Sequence, residues 1–287
     1  MTNKTKIICP GRAIFLVCVT LLLTTVSPAQ KQWTAYGGIG PINYFGDLQD
    51  KQLTTTDMHL GATLGITRQF SPHFLTNFSI MYGKLSANDA HNGPKWDGRN
   101  LNFQTSIFET ALTGEFDLIN IAEPDDGNLI DNNPKKFTPY VFLGIGAFNF
   151  NPYTYDIAGK RVNLRPLGTE GQQKPYSSWQ ISIPMGIGVK YAITSTVQLS
   201  AEFNLRKTLT DYLDDVSQHQ YIDTVQLLQT NGPEAASLSY RADEIPNNDY
   251  KFYGYRGNPG RKDGYYSLLF KVAVQLFVYK PQFYYGY

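Results

Sequence analysis

The sequence predicts an all-β fold, an eight-stranded antiparallel transmembrane β-barrel with long extracellular loops. In segment after segment, apolar residues occupy every second position, which is the period of a strand with one apolar and one polar face. An export signal precedes these segments. The 20 Tyr and 17 Phe suit a barrel with aromatic girdles at both membrane interfaces. Mean hydropathy is negative, as expected where half of each strand faces lipid.

Residues 1–29 have the three parts of a secretory signal peptide. Lys4, Lys6 and Arg12 are basic, an apolar run from residue 13 to residue 23 follows, and Ser27 and Ala29 form a small-x-small cleavage site. The run is shorter than the roughly 20 residues of a spanning helix. We therefore expect residues 30–287 to form the outer-membrane barrel domain.

Cysteine and charge exclude several function classes. Cys9 and Cys18 are the two cysteines and both lie in the signal, so the mature chain has no disulfide or cysteine metal site. Without the basic residues of the signal, 22 of the 25 Lys and Arg remain against 24 Asp and Glu. This balance gives no indication of nucleic-acid binding, and the expected contact is with outer-membrane lipids.

Eight strands can be placed along the mature chain. The first is rich in glycine and aromatic at its ends, and the second, third, fourth, sixth and seventh alternate between apolar and polar residues. In the fifth, aromatic residues and glycine share one face, which leaves its lipid side open. In the eighth, the apolar face is Leu268, Phe270, Val272, Val274, Leu276 and Val278. The predicted ranges are 33–45, 58–70, 74–83, 102–116, 139–150, 179–192, 197–206 and 265–279.

The inward positions of these strands carry charges of both signs. They are Glu109, Glu115, Glu202, Lys190, Arg206 and Lys271. An eight-stranded barrel has an interior just wide enough for side chains, and unpaired buried charges are costly. We therefore expect a plug of internal ion pairs rather than a charged pore.

Connection lengths orient the barrel in the outer membrane of a Gram-negative cell. With the N-terminus in the periplasm, the connections 46–57, 84–101, 151–178 and 207–264 are extracellular, and 71–72, 117–138 and 194–196 are periplasmic. Long loops outside and short turns inside are typical of such barrels. The 22-residue connection 117–138 departs from this pattern. Its proline, aspartate and asparagine content indicates an exposed loop.

Four segments carry a family resemblance. They are Tyr44-Phe45-Gly46-Asp47-Leu48, residues 165–172 beginning Arg165-Pro166-Leu167-Gly168, residues 210–217 beginning Thr210-Asp211-Tyr212-Leu213, and Arg256-Gly257-Asn258-Pro259 with Lys262-Asp263. In order and spacing they resemble a family of small outer-membrane β-barrels of the Bacteroidetes type that includes PorG of the type IX secretion system. The resemblance covers nearly the whole mature chain.

This resemblance implies a non-enzymatic scaffold or anchor of the secretion machinery. Its partners would be a periplasmic ring lipoprotein and that lipoprotein's own partner. A surface adhesin or receptor that uses the 207–264 loop is the alternative. A lipid-acting outer-membrane enzyme and a porin are less favoured. The chain departs from the usual barrel ending, because Pro281 interrupts any strand that reaches the terminal Tyr287.

Two clusters in the largest loop invite a chemical interpretation. Asp211, Asp214 and Asp215 could surround a hard cation such as calcium, but they lack the EF-hand pattern, and a loop start that hydrogen-bonds its own backbone is favoured. Ser217 and His219 beside Asp215 contain the residue types of a hydrolase, but sequence proximity does not supply the geometry of a triad. We therefore assign no catalytic, cofactor-binding or metal-binding residue.

Overall fold

The computed structural model describes residues 33–49, 51–119, 137–194, 196–245 and 254–276. Ten strands lie in these ranges, and all join one sheet. They are β1 Trp33–Phe45, β2 His59–Gln69, β3 Phe74–Asn88, β4 Asn102–Asp117, β5 Phe137–Asn149, β6 Tyr153–Tyr155, β7 Arg161–Asn163, β8 Trp179–Ala192, β9 Val197–Thr208 and β10 Gly264–Gln275. The proposed signal 1–29, the segment 120–136 and the chain after Leu276 lie outside the described residues.

Eight of the strands close into an antiparallel barrel. Its strands are β1 to β5 and β8 to β10, and each pairs with the next in chain order. The first and last strands then pair with each other, from Thr34 opposite Gln275 to Phe45 opposite Gly264. The short strands β6 and β7 form a separate hairpin attached to the start of β4. The predicted eight-stranded antiparallel barrel is therefore confirmed.

The helices of the described segments are short and lie between strands. They are α1 Pro94–Asp97, α2 Thr224–Thr230 and α3 Pro233–Ser239, with 3-10 turns at Asp89–His91 and Ala242–Glu244. Asp223 caps α2, because its side chain accepts a hydrogen bond from the amide of Gln226. Within the described ranges, no helix is both long and apolar enough to cross a membrane.

The two ends of the barrel differ in their connections. At one end, here called the turn end, β2 and β3 are joined by residues 70–73, and β8 and β9 by residues 193–196. At the opposite end, here called the loop end, lie the connections 46–58, 89–101, 150–178 and 209–263. We call the described parts of these four connections the cap.

The strand boundaries lie within two residues of the prediction except in the third and eighth strands. The eighth was expected over 265–279, but β10 ends at Gln275, and the residues after Leu276 lie outside those described. The third strand was expected to end at Gly83, but β3 continues to Asn88, paired with β4 up to Asn102. The prediction was wrong here because Leu85 and Ala87, although inward, alternate with polar residues rather than with lipid-facing ones. Both are buried in the apolar core at the loop end. The β3–β4 hairpin therefore stands above the rest of the barrel and supports the cap.

The outer face of the barrel is an apolar belt. Most of its large side chains are exposed, including Leu60, Leu64, Phe78, Ile80, Leu112, Ile187, Phe270 and Val272. The open question of the fifth strand is resolved: Val141, Leu143 and Ile145 face outward, whereas Tyr140, Phe142 and Phe148 are buried inside. Such a continuous exposed apolar surface is that of a membrane-spanning barrel.

Aromatic residues border the belt at the turn end. Phe70, Phe74 and Phe116 are exposed there. Arg68 shares their face, and its guanidinium lies 4.8 Å from the ring centre of Phe70 and 5.4 Å from that of Trp33. An arginine among aromatic side chains is typical of a headgroup interface, where an outward basic residue costs about 0–1 kcal/mol.

The expected charged plug fills the lumen as three ion-pair groups. Near the turn end, the Lys190 ammonium contacts the carboxylates of Glu115 and Asp117, the latter at 2.7 Å. At mid-height, Lys271 lies 2.6 Å from Glu202. Toward the loop end, the Arg206 Nε lies 2.6 Å from Glu109. All six residues of the predicted set are buried and engaged in opposite-charge pairs.

Hydrogen bonds tie these ion pairs to the barrel wall. Glu202 accepts a bond of 2.7 Å from the Tyr140 hydroxyl. Glu109 accepts bonds from the Tyr265 hydroxyl at 2.8 Å and the Ser182 hydroxyl at 2.5 Å. Two cavities among the lumen side chains measure about 50 Å³ and 20 Å³. Both volumes are far below the roughly 300–1,000 Å³ of small-molecule sites, so side chains fill most of the lumen.

A charge on the belt should be far more damaging than a charge at the lumen mouth. Val272 is the centre of the exposed row on β10, whereas Gln275 faces inward at the turn end. We expect Val272→Arg to destabilise the barrel by about 2–4 kcal/mol, the cost of an outward arginine at the bilayer midplane, and Gln275→Arg to be tolerated. Heat-modifiable gel migration after refolding into vesicles measures the folded fraction. Equal damage from both changes would contradict the assignment of the lipid face.

The packed lumen also predicts that the barrel does not conduct ions. Purified protein in planar bilayers should give no sustained current, because the ion pairs and their hydrogen bonds leave no continuous passage. Protein-free bilayers and bilayers containing an open porin provide the two controls. Reproducible open-channel steps from the wild-type protein would refute a closed lumen.

Candidate functional site: the cap at the loop end

The cap is built on an apolar core shared with the upper barrel. Inward side chains of the strands meet apolar side chains of the connections. The buried members include Ile42, Tyr44, Leu48, Leu85, Leu101, Phe103, Phe148, Val162, Leu164, Leu213, Val216 and Leu238. Because residues of all four connections bury apolar surface in one cluster, the cap is a packed part of the fold rather than a set of independent loops.

Two buried arginines join the connections. The Arg99 guanidinium donates to both carboxylate oxygens of Asp89, at 2.7 and 2.5 Å, and to the backbone carbonyls of Asp47 and Arg256. It is only 2% exposed. Arg99 therefore links the second connection to the first and the fourth. Its planar guanidinium suits this role, because it donates several bonds in fixed directions.

Arg256 makes the corresponding link between the fourth and third connections. Its Nε donates to Glu170 at 2.9 Å, and its terminal nitrogens donate to the carbonyls of Ser239 and Asp215 and to the Thr169 hydroxyl. Glu170 also accepts bonds from the backbone amides that follow Val216. Both residues of this ion pair are almost fully buried. Removal of one partner would leave an uncompensated buried charge.

The four segments that carry the family resemblance meet in this cap. Asp47 of the first accepts a 2.7 Å bond from the amide of Asn258 of the fourth. Asp215 of the third accepts a bond from Thr169 of the second at 2.5 Å. Together with the Arg256–Glu170 pair, these contacts place segments distant in sequence around one centre. No sequence pattern indicated these pairings, and nothing in the sequence identified Arg99 or Asp89 as structurally important.

Close approach explains two glycines of these segments. A Cβ atom at Gly46 would lie 1.9 Å from the Tyr44 hydroxyl and 2.1 Å from an Asp263 oxygen. At Gly257 it would lie 2.7 Å from an Asp47 oxygen and from a Val216 methyl group. Such distances are sterically forbidden, so only glycine fits at either position without displacing the cap.

Two aspartates share the hydroxyl of Tyr44 at the base of the cap. The Tyr44 oxygen lies 2.5 Å from Asp214 Oδ2 and 3.0 Å from Asp263 Oδ1. Both aspartates are 1% exposed. Their other oxygens accept backbone amide bonds, Asp214 from Val216 and Asp263 from Leu213. A hydroxyl carries one proton and can donate it once. Both tyrosine contacts are therefore satisfied together when one carboxyl group is protonated.

The surroundings favour that proton. Burial raises the pKa values of Asp214 and Asp263 well above the ordinary value of 3.8, and nearby carboxylates add to the effect. Burial likewise raises the pKa of Asp47 to about 6. Arg99 opposes the shift at Asp214, but no cation lies within ion-pair distance of Asp214 or Asp263 among the described side chains. Desolvation without a countercharge stabilises the neutral acid.

The cation hypothesis for the largest loop finds no supporting geometry. Asp211 accepts a bond from Ser217 at 2.8 Å, Asp214 binds Tyr44, and Asp215 accepts bonds from Thr169 and Tyr176. The three carboxylates thus serve separate partners. In the described part of the chain, no group of three or more His, Cys, Asp or Glu is arranged to hold a metal ion.

Ser217, His219 and Asp215, which have the residue types of a hydrolase, likewise contact other groups rather than one another. The Ser217 hydroxyl donates to Asp211 rather than to a histidine. The Nδ1 atom of His219 lies 3.2 Å from the Gly257 carbonyl, and its ring stacks on Tyr255 with centroids 3.7 Å apart. Asp215 contacts neither residue in the hydrogen bonds of the structure. Ser217, His219 and Asp215 therefore do not form the hydrogen-bonded relay of a triad.

Because the Tyr44 cluster holds a proton, we predict that the cap becomes less stable as pH rises. A carboxyl whose pKa is raised by folding contributes stability that is present below about pH 4 and is lost as pH rises through the folded pKa. For Asp47 this window ends near pH 6. For Asp214 and Asp263, whose pKa values are raised well above the ordinary value, the window extends to higher pH. Hydrogen exchange of cap peptides, corrected for intrinsic rates, should lose about tenfold or more protection between pH 5 and pH 8.

The Asp263→Asn variant should flatten this pH dependence, because the amide stays neutral throughout the range. Asp243→Asn, at an exposed position of the cap, is the matched control and should behave as wild type. The same loss of protection in both variants would contradict a proton held at the Tyr44 cluster.

Comparisons with known proteins give fold-level similarities. Neisserial surface protein A matches with a TM-score of 0.42 and 9% identity, over 85% of this chain and 97% of that one. Ail, the attachment invasion locus protein of Yersinia pestis, matches with a TM-score of 0.38 and 10% identity, over 85% and 99%. The outer-membrane enzyme PagL matches with 0.30 and 13% identity, over 83% and 97%. No curated protein matches the sequence.

A family model adds a match at the level of sequence. Residues 12–231 match a model described as a domain of unknown function (DUF6089). The matched range includes β1 to β9 and three of the four segments that meet in the cap. Because it covers well over half of the chain, this chain belongs to the DUF6089 family.

Proposed function

We propose that this chain is a non-enzymatic outer-membrane β-barrel that serves as a PorG-like scaffold or anchor of the type IX protein secretion machinery. The observation that carries the proposal is the closed lumen beneath a packed cap. A barrel filled by the Arg206–Glu109, Lys271–Glu202 and Lys190–Glu115 pairs offers no path for a substrate. Such a barrel instead provides a rigid anchor in the membrane, with a surface at each end that a partner protein can contact.

The apolar belt supports residence in the outer membrane, since closed barrels are the β-structures that satisfy their backbone groups in lipid. The proposed orientation puts the turn end and the N-terminus in the periplasm and the cap outside the cell. Long connections on the outside and short turns on the inside favour it. An export signal at residues 1–29 would deliver the chain to this compartment.

The proposed partners are the periplasmic ring lipoprotein and its own partner. The connection between β4 and β5, which was predicted as 117–138 and begins after Asp117, is the part of the turn end that would reach them. Its entry is fixed by the barrel: the Asp117 amide donates to the His73 carbonyl at 2.8 Å, and the Asp117 carboxylate pairs with Lys190. The His73 ring stacks on Phe116 with centroids 5.8 Å apart. The connection therefore leaves from an ordered base.

Replacement of residues 120–135 by a short Gly-Ser turn tests this role. The variant keeps Asp117 and Lys190, so the barrel should assemble and remain heat-modifiable. We expect it to co-purify with less ring lipoprotein from mildly solubilised outer membranes and to lower type IX secretion several-fold.

The control removes residues 156–160, the tip of the β6–β7 hairpin at the loop end, and should secrete normally. Unchanged ring association in a correctly assembled 120–135 variant would reject docking through this connection. Absence of the ring lipoprotein from wild-type pull-downs would reject the scaffold role as a whole.

A surface receptor or adhesin is the second candidate function, and the order of the cap favours it. A long flexible loop needs no buried arginine, whereas Arg99 and Arg256 hold this cap in one arrangement. A pre-organised outer surface is suited to recognition, because little entropy is lost on binding.

A further inference from the structure

A depression in the outer surface of the cap lies between α1 and the fourth connection. Its volume is about 320 Å³, and its lining includes Trp96, Tyr255, His219, Arg99, Arg261 and Asp47. This volume is at the lower end of the range for small-molecule sites, and such sites occur in the mouths of β-barrels. The residues that form it play no part in the closed lumen.

The floor of this pocket is rigid. Arg99 is held by Asp89 and by two backbone carbonyls. Gly257 lies against Asp47 and Val216 so closely that no side chain fits there. The pocket therefore exists before a ligand arrives, which lowers the entropic cost of binding.

The pocket has a positive balance of charge. Lys95 and Arg261 line it, and among the described side chains neither lies within ion-pair distance of a carboxylate. Arg99 is neutralised by Asp89. Asp47 is the acidic residue of the lining, and its pKa of about 6 reduces its charge in mildly acidic medium. A concave surface with a net positive charge attracts an anion.

Aromatic rings border the same pocket. Tyr255 is 62% exposed and stacks on the His219 ring, and both rings line the pocket. Trp96 is the other large ring, and the Lys95 ammonium lies 4.5 Å from its centre. The negative face of an aromatic ring attracts the weakly positive C–H face of a sugar ring. Cations beside aromatic faces therefore suit a ligand that is cyclic, polar and anionic.

We propose that this pocket binds an acidic saccharide, a sugar ring that bears a carboxylate or phosphate group. Arg261 and Lys95 hold the anionic group, and Tyr255 packs on the ring. This inference rests on the receptor function proposed above and names the class of its ligand. The position of the pocket on the cap makes it accessible from the outside in the proposed orientation. Two sources share this chemistry: a free acidic polysaccharide, and the phosphorylated saccharide of an outer-leaflet lipid.

Binding is measured on the full-length mature protein in detergent, with an oligogalacturonate of defined length as the carboxylated probe and purified lipopolysaccharide as the lipid-linked one. An uncharged maltooligosaccharide of equal length is the ligand control. We expect the wild type to bind at least one acidic probe and to bind the neutral one about tenfold or more weakly, the usual loss for a charge-assisted hydrogen bond. The acidic probe that binds identifies the source.

The variants locate the site. Arg261→Gln should weaken binding of the acidic probe about tenfold, and Tyr255→Ala should weaken it without changing its salt dependence. Asp47→Asn, which keeps an acceptor for the Asn258 amide, should strengthen it. Lys174→Gln removes an exposed cation from the third connection and should leave affinity unchanged. Heat-modifiable migration confirms that each variant is folded.

Equal affinities of the Arg261→Gln and Lys174→Gln variants would overturn the site, as would failure of both acidic probes to bind the wild type. Either result leaves ring association and secretion untouched, because those are measured in membranes with the 120–135 variant. The saccharide site and the scaffold role can therefore fail separately.

Discussion

The structure depends on one constraint: an eight-stranded barrel of this kind has little space in its lumen beyond that taken by its own side chains. The outer face is apolar because it meets lipid, and the polar groups of the inner face, largely without water, need partners within the barrel. Glu109, Glu202 and Glu115 are each matched to a cation at a different height. The height of each charge along its strand thus follows from the position of its partner on another strand.

Buried polar groups of the cap also need partners, but the kinds of partner differ from those in the lumen. Arg99 and Arg256 are buried like the lumen cations, but they bind backbone carbonyls as well as carboxylates, so they fix the course of the chain between strands. At Tyr44, no described cation lies within ion-pair distance of Asp214 or Asp263, and a proton supplies the balance instead. The cap therefore combines permanent ion pairs with a cluster whose charge depends on the medium.

Sequence reasoning predicted the barrel well because strand periodicity is local. Inward and outward faces follow from parity within a single strand, as in β10, where Lys271 and Val272 alternate as expected. The lumen charges were identified in advance for the same reason. Parity left the lipid side of β5 open. Its bulky aromatic residues face inward because Gly186 and Gly188 of the neighbouring strand leave room for Phe142 and Tyr140.

The cap was predicted far less completely, since the contacts that join one connection to another link residues from about 40 to about 220 positions apart. The Tyr44–Asp263 and Arg99–Arg256 contacts are of this kind. The sequence could identify the four segments through their resemblance to a family, but it could not show that they meet. The acidic triplet of the largest loop illustrates this: adjacency suggested a common ligand, whereas Asp211, Asp214 and Asp215 each bind a different neighbour.

The extension of β3 and β4 beyond the apolar belt sets the height of the cap above the lipid. Tyr82 and Phe108 are the last exposed aromatic residues on this hairpin, and six further residues of β3 lead to Asn88. At about 3.3 Å per residue, the strands rise roughly 20 Å along their own direction past that level. The hairpin therefore carries its part of the cap well beyond the lipid-facing belt, so that this surface meets water rather than lipid.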